Sequence, residues 1–232
     1  MILRKLLWLS VLTITISSVA DAQTKSVFKE NNWENKFDKR WLLMNGVVQA
    51  GTRELQISKD RNWAILLNNT TLPENYILTF STRVEPGTYL FELMLNLSGQ
   101  HFLGILNNQL ESRVAIEDRS LFANPDKVGS YIHTTGHVGL LPKVELPAKF
   151  EAWQDWRVQK SGNQVFVWIN GEEIITFKDT KGIMKAGGQF GFAVNGKASV
   201  SNVQLFKAVG DAAMPPLTFK GKPPVRTWFV FE

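Results

Sequence analysis

The segment WQDWRVQKSGNQVFVWINGEEIITF, residues 153–177, decides the fold. Short apolar runs in it are broken at Ser161-Gly162 and Asn170-Gly171, and the same pattern continues to Phe206 with further breaks at Gly187-Gly188 and Asn195-Gly196. Dipeptides of this kind supply the positive φ angles that tight hairpins need. The block therefore reads as antiparallel β-structure, with strands at 156–160, 164–170, 173–177, 189–194 and 198–206.

Upstream the same grammar holds. Residues 41–44, Asn45-Gly46 and residues 47–50 read as a type I′ hairpin by the turn pair, and 55–58 and 63–67 continue the series. In 76–84, Tyr76, Leu78, Phe80 and Val84 fall on one parity and Thr79, Ser81 and Arg83 on the other, so one face is buried and one is wet. In 88–97 the inward set is Tyr89, Phe91, Leu93, Leu95 and Leu97, which turns Glu92 and Asn96 outward. After 102–106, the segment 109–117 buries Leu110, Ser112, Val114 and Ile116 and presents Gln109, Glu111, Arg113 and Glu117. These strands thus share a polar face. A loop-rich stretch follows at 118–151. No segment keeps a 3.6-residue apolar period, and about a dozen short strands with Gly-marked turns suit a sandwich or barrel.

At 232 residues the chain has length for one large all-β domain. Residues 1–22 read as a signal peptide: Arg4 and Lys5 form the charged region, 6–20 the apolar core, and Ala20-Asp21-Ala22 the cleavage site. The apolar run of about 15 residues is short for a membrane span. The domain then occupies 23–209, and 210–232 form a Pro-rich tail ending in the aromatic strand-like run 228–231. With no cysteine, disulfides, thiolate metal sites and cysteine nucleophiles are excluded, and a secreted or periplasmic bacterial protein is expected. The formal charge of +5 falls to +4 without Arg4, Lys5 and Asp21, and the basic residues are scattered. Neither nucleic acid nor, after cleavage, a membrane is an expected partner.

Residues 153–174, followed by Gly188-Gln-Phe-Gly-Phe192 and Val200-Ser-Asn-Val-Gln-Leu205, resemble the concanavalin A-like lectin/glucanase superfamily. The likeness is to the ending shared by laminin-G-like modules and the 3-keto-disaccharide hydrolase domain family, and it covers most of 28–206. It implies an all-β, jelly-roll sandwich of two antiparallel sheets, and raises the prior for saccharide handling without establishing it.

No reacting group is supplied by these fold-defining residues. Glucanases of the superfamily set acidic residues on alternate strand positions to hold a carboxylate pair about 5 Å apart. That pattern is absent, and Glu111 and Glu117, on one extended strand, would lie about 20 Å apart. Glu92 and Glu111 are the candidate catalytic carboxylates, and Glu92, Asn96, Glu111, Arg113, His137 and Trp153 the candidate ligand contacts, with Trp33 a second aromatic platform if outward. His133 and His137 lack the third ligand of a metal site, so none is expected, although calcium stays open as in lectins of this fold. The expected function is an exported carbohydrate-binding, lectin-like module. The alternatives are a glycoside-cleaving enzyme resembling the 3-keto-disaccharide hydrolases and a structural or adhesive envelope module that uses its tail to bind a protein partner; the aromatic run 228–231 itself is expected to dock as an extra strand.

Overall fold

The computed structural model describes residues 24–34, 37–60, 62–122, 131–134, 143–147, 149–180, 182–184 and 186–208. The expected signal peptide, His137 and the tail lie outside them. The described chain is almost wholly β, with one helical turn, α1 (Phe37–Arg40). The strands are β1 (Thr24–Glu30), β2 (Trp41–Asn45), β3 (Val47–Ala50), β4 (Glu54–Ser58), β5 (Ala64–Asn68), β6 (Tyr76–Val84), β7 (Leu90–Ser98) and β8 (His101–Asn108). They continue as β9 (Arg113–Phe122), β10 (Tyr131–Thr134), β11 (Lys143–Glu145), β12 (Gln154–Ser161), β13 (Gln164–Ile169), β14 (Glu172–Lys178), β15 (Gln189–Asn195) and β16 (Lys197–Ala208).

Two antiparallel sheets result. The first runs β14-β13-β12-β6-β16-β4-β3, with β1 sharing the β4 side of β16. The second runs β10-β9-β8-β7-β15-β5-β2, with β11 sharing the β10 side of β9. Strand parity explains why the sheets stack. Tyr76, Leu78, Phe80 and Val84 of β6, and Phe91, Leu93 and Leu95 of β7, enter one continuous buried cluster between the layers. Aromatic rings join the two sheets there. Phe80 lies 5.8 Å from Trp156 in its own sheet and 5.2 Å from Phe192 across the interface, and Phe192 stacks on Trp41 at 5.7 Å. Trp33, fully buried, packs 5.4 Å from Trp41, so it is core and not an exposed platform.

Several sequence expectations change. Residues 41–50 are not a hairpin: β2 pairs with β5 in the second sheet and β3 with β4 in the first. Gly46 (φ 87°) turns the chain from one layer to the other at a point where a Cβ would press into Ala64 and the Ser58 carbonyl, which is why glycine is needed. The strand read at 109–117 starts only at Arg113. Residues 109–112 form the β8–β9 turn, with Ser112 at φ 48° and Leu110 73% exposed. Tyr89 precedes β7 and is half exposed.

A further change is a β-bulge. Register shifts between Leu95 and Ser98, and Asn96 adopts φ 55°. One extra residue inverts the parity after it. Asn96 is therefore buried, and Leu97 joins a second apolar cluster with Ile65, Leu67, Met94, Phe102, Leu121, Ile132 and Ala193. This second cluster lies on the face of the second sheet turned away from the main core.

Candidate functional site

The same outward face carries the charged residues. Because Phe91 and Leu93 point into the core, Glu92 between them points out, and the parity of β8 and β9 sends Gly104, Glu117 and Arg119 to the same side. Arg119 Nε and Nη2 donate to Glu92 Oε1 at 3.1 Å and Oε2 at 3.2 Å. Its Nη1 donates to Glu117 Oε2 at 3.0 Å. Arg113 Nη2 lies 3.9 Å from Glu117 Oε1. Arg113 Nε is 2.7 Å from Glu111 Oε2 but out of line for a hydrogen bond, so this contact is an ion pair only.

Five side chains therefore form a ladder, Glu92–Arg119–Glu117–Arg113–Glu111. Their exposure rises from 0% at Glu92 to 49% at Glu111. Gly104 makes the inner end possible: a Cβ there would collide with Glu92 Oε1 and approach Arg119 Cγ to 2.8 Å. At the outer end the turn is held by Asn108 Oδ1, which accepts from the Glu111 N–H at 2.9 Å.

Burial raises the Glu92 carboxyl from 4.5 to about 7; the charge and hydrogen bonds of Arg119 lower it by less, and Glu117 adds a smaller upward push. Bidentate Arg–carboxylate contacts are geometrically selective. Removing one member of such a buried pair costs about 3–5 kcal/mol because the other charge is stranded. The exposed Arg113–Glu111 pair contributes about 0–1 kcal/mol, which leaves its groups free to exchange partners.

Among the expected ligand contacts, the structure joins Glu92, Glu111 and Arg113 through two residues that were not candidates in that role, Arg119 and Glu117. Glu111 and Glu117 are not at opposite ends of a strand, because the turn folds Glu111 back until both carboxylates reach Arg113. Asn96 is elsewhere: its Nδ2 donates to the Gly187 carbonyl at 2.8 Å and its Oδ1 accepts from Tyr76 O–H at 2.9 Å. Trp153 is 41% exposed, but its ring lies against Arg83, 5.1 Å away, on the outer face of the first sheet, where Arg83 also meets Glu54. It does not share the Glu92 face. Arg119 fell in the stretch read as loop. The signal that could have found it is the continued alternation Arg113, Glu117, Arg119, which keeps β9 going past residue 117.

His101 is exposed, with Nδ1 3.2 Å from Ser120 Oγ. Among the described residues no three His, Asp or Glu side chains gather as a metal site.

By sequence the chain matches no family model and no curated protein. By structure it is similar to a Bacillus subtilis protein of unknown function with a galectin-like fold, at TM-score 0.61 and 14% identity over 81% of this chain and 99% of that one. It is similar to β-agarase A from Zobellia galactanivorans at TM-score 0.57 and 8% identity, covering 81% and 93%. It is also similar to the carbohydrate-binding module CBM66 from Bacillus subtilis at TM-score 0.53 and 12% identity, covering 70% and 92%. The fold is thus the concanavalin A-like jelly-roll sandwich that the sequence resemblance implies.

Proposed function

We propose that the chain is an exported carbohydrate-binding module whose saccharide contacts the solvent end of the ladder, Glu111 and Arg113, on the outer face of the second sheet. The observation that carries this reading is the gradient of exposure. Two buried carboxylates and Arg119 anchor the inner rungs, so the outer carboxylate and guanidinium present acceptors and donors to hydroxyl groups at little conformational cost. Proteins of the same fold named for carbohydrate binding and agar cleavage support the ligand class, and the N-terminal signal pattern supports export.

Calorimetric titration against a panel of neutral and acidic oligosaccharides tests it. Binding in the micromolar to millimolar range is expected, weakened at least about tenfold by Arg113→Ala or Glu111→Ala, equivalent to about 1.4 kcal/mol. Absence of binding by the unsubstituted protein at millimolar saccharide overturns the reading.

A second reading, glycoside cleavage in the manner of the 3-keto-disaccharide hydrolases, is favoured by one observation: Glu92 is poised near 7, in the range useful to a general acid. Against it, both oxygens of Glu92 are held by Arg119. Release of sugar from a 3-keto-glycoside, lost in both Glu92→Gln and Glu111→Gln, would promote it.

A further inference from the structure

Among the described residues, two sheet edges that adjoin at Gly46 have no further strand paired to them. β2 ends the second sheet and β3 ends the first. The residues that form them, Trp-Leu-Leu-Met-Asn and Val-Val-Gln-Ala, contain neither charge nor proline. Natural edges of this composition are normally covered, because their unpaired backbone groups recruit another strand. Leu42 and Val47 remain 53% and 50% exposed.

Between these edges opens a cleft of about 580 Å³ lined by Phe37, Trp41, Leu42, Leu43, Val48 and Ala50, with Glu34 at its rim. Two indole N–H groups in this region, Trp41 in the lining and Trp33 packed on it, are buried without an acceptor among the described residues. An apolar lining set between two unpaired strand edges suits an extended apolar segment.

We propose that residues 228–231 of the same chain, Trp-Phe-Val-Phe, add as a strand to the free edge of β2 and fill this cleft. Alternation of such a strand sends Trp228 and Val230 to one side and Phe229 and Phe231 to the other, enough to fill the cleft and to cover Leu42 together. Arg226 just before it complements the exposed Glu34. The reach is available. Ala208 lies beside Thr24, and β1 leads from there over about 20 Å to the end that feeds Trp33 and the cleft, whereas residues 209–227 extend up to about 60 Å. Tethering raises the effective concentration of the segment to the millimolar range, which favours it over the same segment of another copy. The proposal does not involve the ionic ladder and stands or falls separately from saccharide binding.

A spin label on the otherwise cysteine-free full chain, introduced by Glu232→Cys, tests it by NMR. Paramagnetic broadening of the Leu42 and Val47 methyl signals in dilute labelled protein supports the proposal. Absence of broadening overturns it. Broadening of unlabelled isotope-enriched protein mixed with labelled, unenriched protein also overturns it, since the occupant is then a second copy. As a further check that leaves β2 intact, replacing Trp228, Phe229, Val230 and Phe231 together by serine should speed amide exchange of the β2 edge at least about tenfold; unchanged exchange in a folded variant counts equally against the strand.

Discussion

Glu92 is the residue on which the outer face of the second sheet depends, and its protonation gives the clearest test of that geometry. Burial lifts the carboxyl to about 7, so between about pH 4.5 and 7 the folded protein keeps a proton that the unfolded chain has released, and stability falls as pH rises through this window. Glu92→Gln removes the slope. Chemical denaturation at about pH 5 and about pH 8 should show the variant gaining on the parent protein with rising pH, by at most about 3 kcal/mol; a gap independent of pH would refute the buried-carboxyl picture. Gly104 supplies a second residue-scale test. Gly104→Ala forces a methyl group into the Glu92–Arg119 contact, with an expected loss of about 1–3 kcal/mol in urea unfolding. No neighbouring surface glycine should match it: Gly99, whose added Cβ meets nothing within 4 Å, has only its φ of 61° to oppose a substitution.

Among the elements, the bulge in β7 separates what periodicity reveals from what it cannot. Strand 76–84 was legible because its parity runs through without a bulge, Ile77 alone of the outward set being buried. In β7 the alternation held only to Leu95, since a bulge leaves no mark in a pattern of apolar residues and Asn96 looks like any outward polar position. Its amide instead closes the buried Tyr76 hydroxyl, whose own ionisation burial suppresses. Asn96→Ala should therefore cost about 2–4 kcal/mol, from two lost hydrogen bonds and a stranded phenol. Adding Tyr76→Phe should recover part of that loss, and a strictly additive double-mutant cycle would count against the coupling. Turn dipeptides were similarly half-informative. Ser161-Gly162 and Asn170-Gly171 do close the β12–β13 and β13–β14 hairpins, with positive φ where expected. Asn45-Gly46 and Asn195-Gly196 instead carry the chain between layers. A local signal announces a reversal of backbone handedness, but the sheet that receives the next strand is chosen by packing far away in sequence.

For the molecule as a whole, the two-layer architecture was readable because it rests on parity summed over many strands, whereas the site was readable only in fragments because it joins residues across three of them. Glu92, Glu111 and Arg113 were visible as polar interruptions; their link through Arg119 required the β7-β8-β9 register. The same architecture concentrates stability in the aromatic interface between the sheets. Phe192, wholly buried against Trp41, Phe80 and Phe91, should cost about 3–5 kcal/mol on truncation to alanine. Leu110→Ser at the exposed turn should change stability by less than about 0.5 kcal/mol. Comparable losses at the two positions would show that the layers are not held together there.

The pairing of β1 with β16 sets Thr24 beside Ala208, so both ends of the sandwich leave from one corner. Tension applied between these residues would load the cross-strand bonds one rung at a time, like a zipper, instead of straining them all together in shear. A module hung in a stretched polymer by these two points would yield early, shedding β1 first while the remaining strands of both layers stay seated.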